Sequence, residues 1–75
     1  MSNWTQLKDC HDRVVAEVRS ITLEEYQTIA AAGNEVSCDS VPPSFIVQNA
    51  DGMAVARKNY SRDGGTACIE MRWYR

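Results

Sequence analysis

Residues 67–74 alternate strictly. Ala67, Ile69, Met71 and Trp73 are apolar, and Cys68, Glu70, Arg72 and Tyr74 fall between them. A period of two over eight residues is the signature of a β-strand with one buried face. Any fold for this chain therefore has to supply a sheet with an apolar side. Two glycine-bearing turns lie upstream. Asp63-Gly64-Gly65 precedes the last strand, and Asp51-Gly52 separates two shorter apolar runs. The pattern predicts a three-stranded antiparallel meander over about 44–49, 53–59 and 66–74. The first turn has a preferred register. A three-residue loop with Gly52 left-handed pairs Asn49 with Met53 and puts Phe45, Val47, Met53 and Val55 on one face. Pro42-Pro43 stops any helix ahead of the first of these strands.

The first half reads as helical. Thr22-Leu23-Glu24-Glu25 is a capping box, Leu23, Tyr26, Ile29 and Ala30 form an apolar face, and Gly33 stands where a left-handed C-terminal cap is expected. Asn34 to Ser40 reads as a polar connector. In residues 4–19, Trp4, Leu7, His11, Val14 and Val18 recur at helical spacing, with Ser2 or Asn3 as cap. The same stretch has a rival reading, because Val14, Ala16 and Val18 alternate with charged residues as in a strand. The expected fold is α+β, a two-layer sandwich of two helices on the three-stranded meander. The alternative is β-α-β-β-β with residues 12–19 as a strand. The expected core joins Phe45, Val47, Val55, Ile69, Met71 and Trp73 to Leu7, Val14, Val18, Leu23, Tyr26 and Ile29. With 75 residues, there is room for a single domain, 1–75, divided into a helical half (about 4–33) and a sheet half (about 44–74).

Function classes are narrowed by what the motifs fail to supply. No run is long and apolar enough to span a bilayer, and the N-terminal residues lack the pattern of a secretory signal. The expected compartment is cytoplasmic. Three cysteines (Cys10, Cys38, Cys68) are an odd number, which favours free thiols. Joined by His11 they make a nominal Cys₃His set, but the cysteines lack the close pairing of zinc ligands. No metal or cofactor is expected. Cys10-His11 between Asp9 and Asp12 is the one nucleophile–base pairing, and adjacency in sequence is the wrong proximity for catalysis. No phosphate loop or nucleophile elbow is present. The expectation is a non-enzymatic protein.

Charge is uneven along the chain. Residues 1–39 carry a net −4 and residues 40–75 a net +2. In the basic half, cations interleave with aromatic rings. Lys58, Tyr60, Arg62, Arg72, Tyr74 and Arg75 are the expected partner-binding residues, placed on the open sheet face and the C-terminus. Tyr, Trp and Arg favour protein interfaces. The expected function is thus a small protein–protein interaction module, an accessory or inhibitor protein of the phage or mobile-element type. The alternative is weak, sequence-tolerant nucleic-acid binding through the same basic-aromatic patch. An open sheet face also suits a homodimer as readily as a monomer.

Overall fold

The computed structural model describes residues 3–74. Ser2, a candidate cap, and Arg75, a candidate partner-binding residue, lie outside the described residues. Among the described residues are six strands and one helix: β1 (Thr5–Lys8), β2 (Val14–Ile21), α1 (Leu23–Ala32), β3 (Asn34–Cys38), β4 (Ser44–Gln48), β5 (Ala54–Tyr60) and β6 (Thr66–Trp73). The strands form one antiparallel sheet in the order β1-β2-β6-β5-β4-β3. The architecture is α+β, as expected, and β4-β5-β6 is the expected meander. Two of the expected elements differ. The first segment is a hairpin rather than a helix, and Asn34–Cys38 is an edge strand rather than a connector.

The hairpin wins because Asp9–Arg13 is a turn. Asp9 N–H donates to Arg13 O at 3.0 Å and Asp12 N–H to Asp9 O at 3.1 Å. Asp9 Oδ1 also accepts from the amides of His11 (2.8 Å) and Arg13 (3.0 Å). Asp12 takes the left-handed conformation, φ 61°. Beyond it, Val14, Val15, Val18 and Ile21 are β-branched and favour extended chain. The strand alternative for residues 12–19 was therefore nearer the structure.

The same loop recurs at the two glycine turns. Asn49 N–H donates to Met53 O (2.9 Å) with Gly52 at φ 81°, and Ser61 N–H donates to Gly65 O (2.9 Å) with Gly64 at φ 88°. The Asn49–Met53 closure is the one argued from sequence, but a bulge between Val47 and Gln48 shifts the strands by one, so Val47 pairs with Ala56 and Phe45 with Lys58, where Val55 and Arg57 were expected opposite them.

The capping box forms. Thr22 Oγ1 accepts from Glu25 N–H, and Glu25 Oε1 accepts from Thr22 N–H, each at 3.1 Å. These bonds, the Thr22 backbone amide foremost, hold the Glu25 carboxyl below its ordinary value. Helix α1 connects β2 to the far edge strand β3, four strand spacings or about 19 Å away. Ten residues of helix reach about 15 Å, so α1 must lie across the sheet, and it packs over β5 and β6. It buries Tyr26 against Val47, Ala56 and Cys68, with Ile21, Ile29, Ala30 and Val55 around them. Leu23, expected in the core, is 44% exposed. Gly33 is extended (φ −123°), not left-handed. Its function is close approach, since a Cβ there would lie 2.7 Å from Val47 Cγ1 and 2.9 Å from Gln48 O.

The expected core divides between two faces. Cys68 pairs with Lys58, which pairs with Phe45, and Glu70 pairs with Ala56, which pairs with Val47. Directly paired residues share a face, so the even-numbered side of β6 lies under the helix. A small residue is needed there, because Cys68 and Ala56 leave room for the Tyr26 ring. Ile69, Met71 and Trp73 consequently point away from the helix, with Leu7 and Val18.

Candidate protein interface

The register also relocates the expected partner-binding residues. Lys58, Tyr60 and Arg72 project from the helix-bearing side of the sheet, not the open one. Lys58 is enclosed. Its Nζ lies 5.0, 4.9 and 5.4 Å from the ring centroids of Tyr26, Phe45 and Tyr60, and 3.9 Å from Glu35 Oε2. Its side chain is only 15% exposed. Phe45 and Tyr60 meet edge to face at 5.9 Å. Tyr26 Oη donates to Glu35 Oε2 at 2.5 Å. Burial, together with that bond, pushes the Tyr26 hydroxyl well above its ordinary value, because ionising it would set two anions side by side. Burial likewise pushes the Cys68 thiol up, against a smaller opposite pull from Lys58. This box is a structural use of Lys58 and Tyr60. Arg62 sits apart, exposed in the β5–β6 turn.

Arg72 and Tyr74 converge at the other end of that face, beyond the reach of the helix. The Arg72 guanidinium carbon lies 4.3 Å from the Trp4 ring centroid and that of Arg19 lies 5.2 Å from it. Arg72 also approaches Glu17 Oε2 at 4.0 Å. Tyr74 Oη donates to Glu17 Oε1, and this bond raises the Tyr74 pKa. Arg19 is anchored below, with Nη2 2.5 Å from Glu70 Oε1 and 3.7 Å from Glu25 Oε2. The Arg72 side chain remains 59% exposed and Tyr74 45%. The result is a cluster in which exposed Arg72 and Tyr74 flank the half-buried Trp4, with the side chains already held in place. Trp4 and Glu17 were missed as site residues. The signal that finds them is the Asp9–Arg13 turn, which folds β1 back on β2 and carries Trp4 over to Arg72.

The charge asymmetry along the chain does not survive folding. Glu17 of the acidic half meets Arg72, Glu35 meets Lys58, and Arg19 meets Glu70 of the basic half. Lys8 and Arg13 pair locally with Asp12 and Asp9. A phosphate backbone would have to displace these carboxylates to reach Arg19, Lys58 or Arg72.

The face away from the helix is the truly open one. Its rungs read Leu7-Ala16-Trp73, then Thr5-Val18-Met71, then Ser20-Ile69-Arg57-Ile46-Val36, then Ala67-Asn59-Ser44-Cys38. Leu7 and Trp73 are each 42% exposed and Val18, Ile46, Ile69, Met71 and Val36 are half-buried. Ala16 is shielded between Leu7 and Trp73. Arg57 is the one charged strand residue on this face among the described residues, and its Nε donates to Asn59 Oδ1 at 3.0 Å.

Among the described residues, no three His, Cys, Asp or Glu side chains are grouped to hold a metal ion. The three thiols are free and dispersed: Cys10 exposed in a turn, Cys38 half-buried on the edge strand, Cys68 buried under the helix. No helix among the described residues is long and apolar enough to cross a membrane. Compared with known proteins, the chain matches no family model, no curated protein and no solved structure.

Proposed function

We propose that the protein is a non-enzymatic binding module for another protein, engaging it through the Trp4–Arg72–Tyr74 cluster. The observation that carries this reading is the stack of Arg72 on Trp4 (4.3 Å) beside Tyr74, exposed yet tethered through Glu17. Trp, Tyr and Arg supply most interface hot spots. Side chains already fixed in the free protein lose less entropy on association. A role as an accessory or inhibitor protein, of the kind phages and mobile elements carry, suits a small chain that acts by occupying a partner's surface. The ion pairing of Lys58, Arg19 and Arg72 weighs against nucleic acid as the ligand.

The test is quantitative affinity capture from the source cells with wild type, Arg72→Ala and Tyr74→Ala, all checked for unchanged melting. A partner retained by wild type and depleted at least about tenfold by either substitution supports the module, the loss typical of a hot-spot residue. Retention undiminished by both substitutions removes this surface. Fluorescence anisotropy with a labelled single-stranded oligonucleotide at low salt gives no binding on this reading. Binding that falls steeply with salt would restore the nucleic-acid alternative.

A further inference from the structure

The open face of the sheet rests on different residues and has its own reading. The strongest alternation in the chain, Ala67-Ile69-Met71-Trp73, puts its apolar side where, among the described residues, no helix or strand covers it. Its neighbours Leu7, Val18, Ile46 and Val36 extend that apolar surface across the sheet. The opposite face, with its helix, buries very little. Tyr26 and Val47 are the only large side chains fully buried among the described residues.

The exposed area of the whole chain is consistent with a face that lacks cover. The chain exposes 5487 Å², about 900 Å² more than the ~4,600 Å² expected of a compact monomer of 8.4 kDa. One partner's share of a standard interface is about 800 Å². We infer that the occupant is a second copy of this chain, stacked face to face on the Leu7–Val18–Met71–Ile69–Trp73–Ile46 surface about a two-fold axis.

A second copy satisfies what the face presents. Two such faces bury like against like, and sheets stack at about 10 Å with side chains interdigitated. Arg57 is compatible with the symmetry. It stands one strand from β6, so an axis along β6 sets the two guanidinium groups about 10 Å apart, on opposite sides of that axis and out of direct contact. Each keeps its own Asn59 as a hydrogen-bond acceptor. The arrangement leaves both helices and both Trp4–Arg72–Tyr74 clusters on the outside.

Sedimentation equilibrium of the purified full chain from about 1 to about 100 µM tests this, a range suited to standard-size interfaces of ordinary affinity. Wild type should sediment as a dimer at the upper end. Met71→Glu and Ser20→Lys should weaken the dimer at least about 100-fold, because each buries an unpaired charge. Ser20 is exposed and outside the core, so Ser20→Lys carries the test if Met71→Glu does not fold. Arg57→Met removes the one strand charge on this face among the described residues and should tighten the dimer. A partner presenting a carboxylate to Arg57 would instead lose affinity with Arg57→Met. A wild type monomeric throughout, or a dimer indifferent to Ser20→Lys, or one broken by Arg72→Ala instead, overturns the inference. None of these outcomes depends on the capture experiment.

Discussion

Replacing Gly33 by alanine is the sharpest test of how the helix is seated. The backbone there is extended, so alanine meets no conformational penalty of its own. In open space the change would stabilise by about 0.4–1 kcal/mol through the unfolded state. Here the new Cβ would lie 2.7 Å from Val47 Cγ1 and 2.9 Å from Gln48 O, against ordinary contacts of about 3.5–4.0 Å. Neither neighbour gives way cheaply. Val47 is fully buried, and Gln48 is paired on one side with Asn34 and on the other with Ala54. Overpacking of this sort costs about 1–3 kcal/mol, so Gly33→Ala should destabilise by about 2 kcal/mol. For a domain this small the melting temperature should fall by roughly 8–16 °C. Urea unfolding followed by tryptophan fluorescence measures the change. In a Val47→Ala background one of the two clashes is gone, and Gly33→Ala should cost at least about 0.5 kcal/mol less, the coupling of residues in contact. A neutral or stabilising Gly33→Ala, or a cost unchanged by Val47→Ala, would refute this account of the helix-to-β3 junction.

Asp12→Gly should stabilise by about 0.5–1 kcal/mol, since glycine is freely left-handed and the Lys8–Asp12 pair it removes is surface-exposed; thermal melting reads the change. Stability should also fall at high pH. Tyr26 carries a folded pKa raised above its ordinary 10.0, so its contribution is complete below about pH 10 and is lost as pH rises toward the folded value. The slope in that window is about 1.4 kcal/mol per pH unit. Cys68, raised from 9.0 by burial, adds the same sign from a lower pH. Tyr26→Phe should flatten the fall above pH 10 in urea titrations across the alkaline range, and an unchanged slope would show that Tyr26 is not the group responsible.

The second half of the fold was legible because each of its signals was local. The Asn49–Gly52 and Asp63–Gly65 turns announce themselves through glycine, and the capping box at Thr22 needs only neighbours in sequence. The first hairpin was obscured because aspartate fills the left-handed position at Asp12. Asp9-Cys10-His11-Asp12-Arg13 has the spacing of Asn49-Ala50-Asp51-Gly52-Met53, with a carboxylate oxygen bonding two amides as the Asn49 side chain does. Read that way, β1 and β2 follow, and the helical stripe from Trp4 to Val18 is a coincidence of spacing. The edge strand β3 was hidden for another reason: Asn34-Glu35-Val36-Ser37-Cys38 has little β-propensity and is extended because β4 pairs with it.

The candidate surfaces were harder to read, because they depend on which side of β6 the helix chooses. Alternation shows that β6 has an apolar face and leaves open what covers it. The natural assumption that Ile69, Met71 and Trp73 meet the helix reverses the sheet. It places Lys58 and Arg72 on an open face, when Lys58 is boxed by three rings and Arg72 lies on Trp4. Ion pairs between distant segments, such as Glu17–Arg72 and Glu35–Lys58, carry no sequence signal at all.

The two tryptophans report on the two faces separately, Trp4 beside Arg72 and Trp73 on the open apolar side. The most direct measurement is therefore the emission of Trp73 alone, in Trp4→Phe, as concentration rises from about 1 to about 100 µM. If that face closes against a second copy, Trp73 emission shifts to shorter wavelength with concentration and its quenching by acrylamide weakens, while Trp4 in Trp73→Phe stays constant. Trp73 emission and quenching that do not change with concentration, or a shift that follows Trp4 instead, would contradict the account.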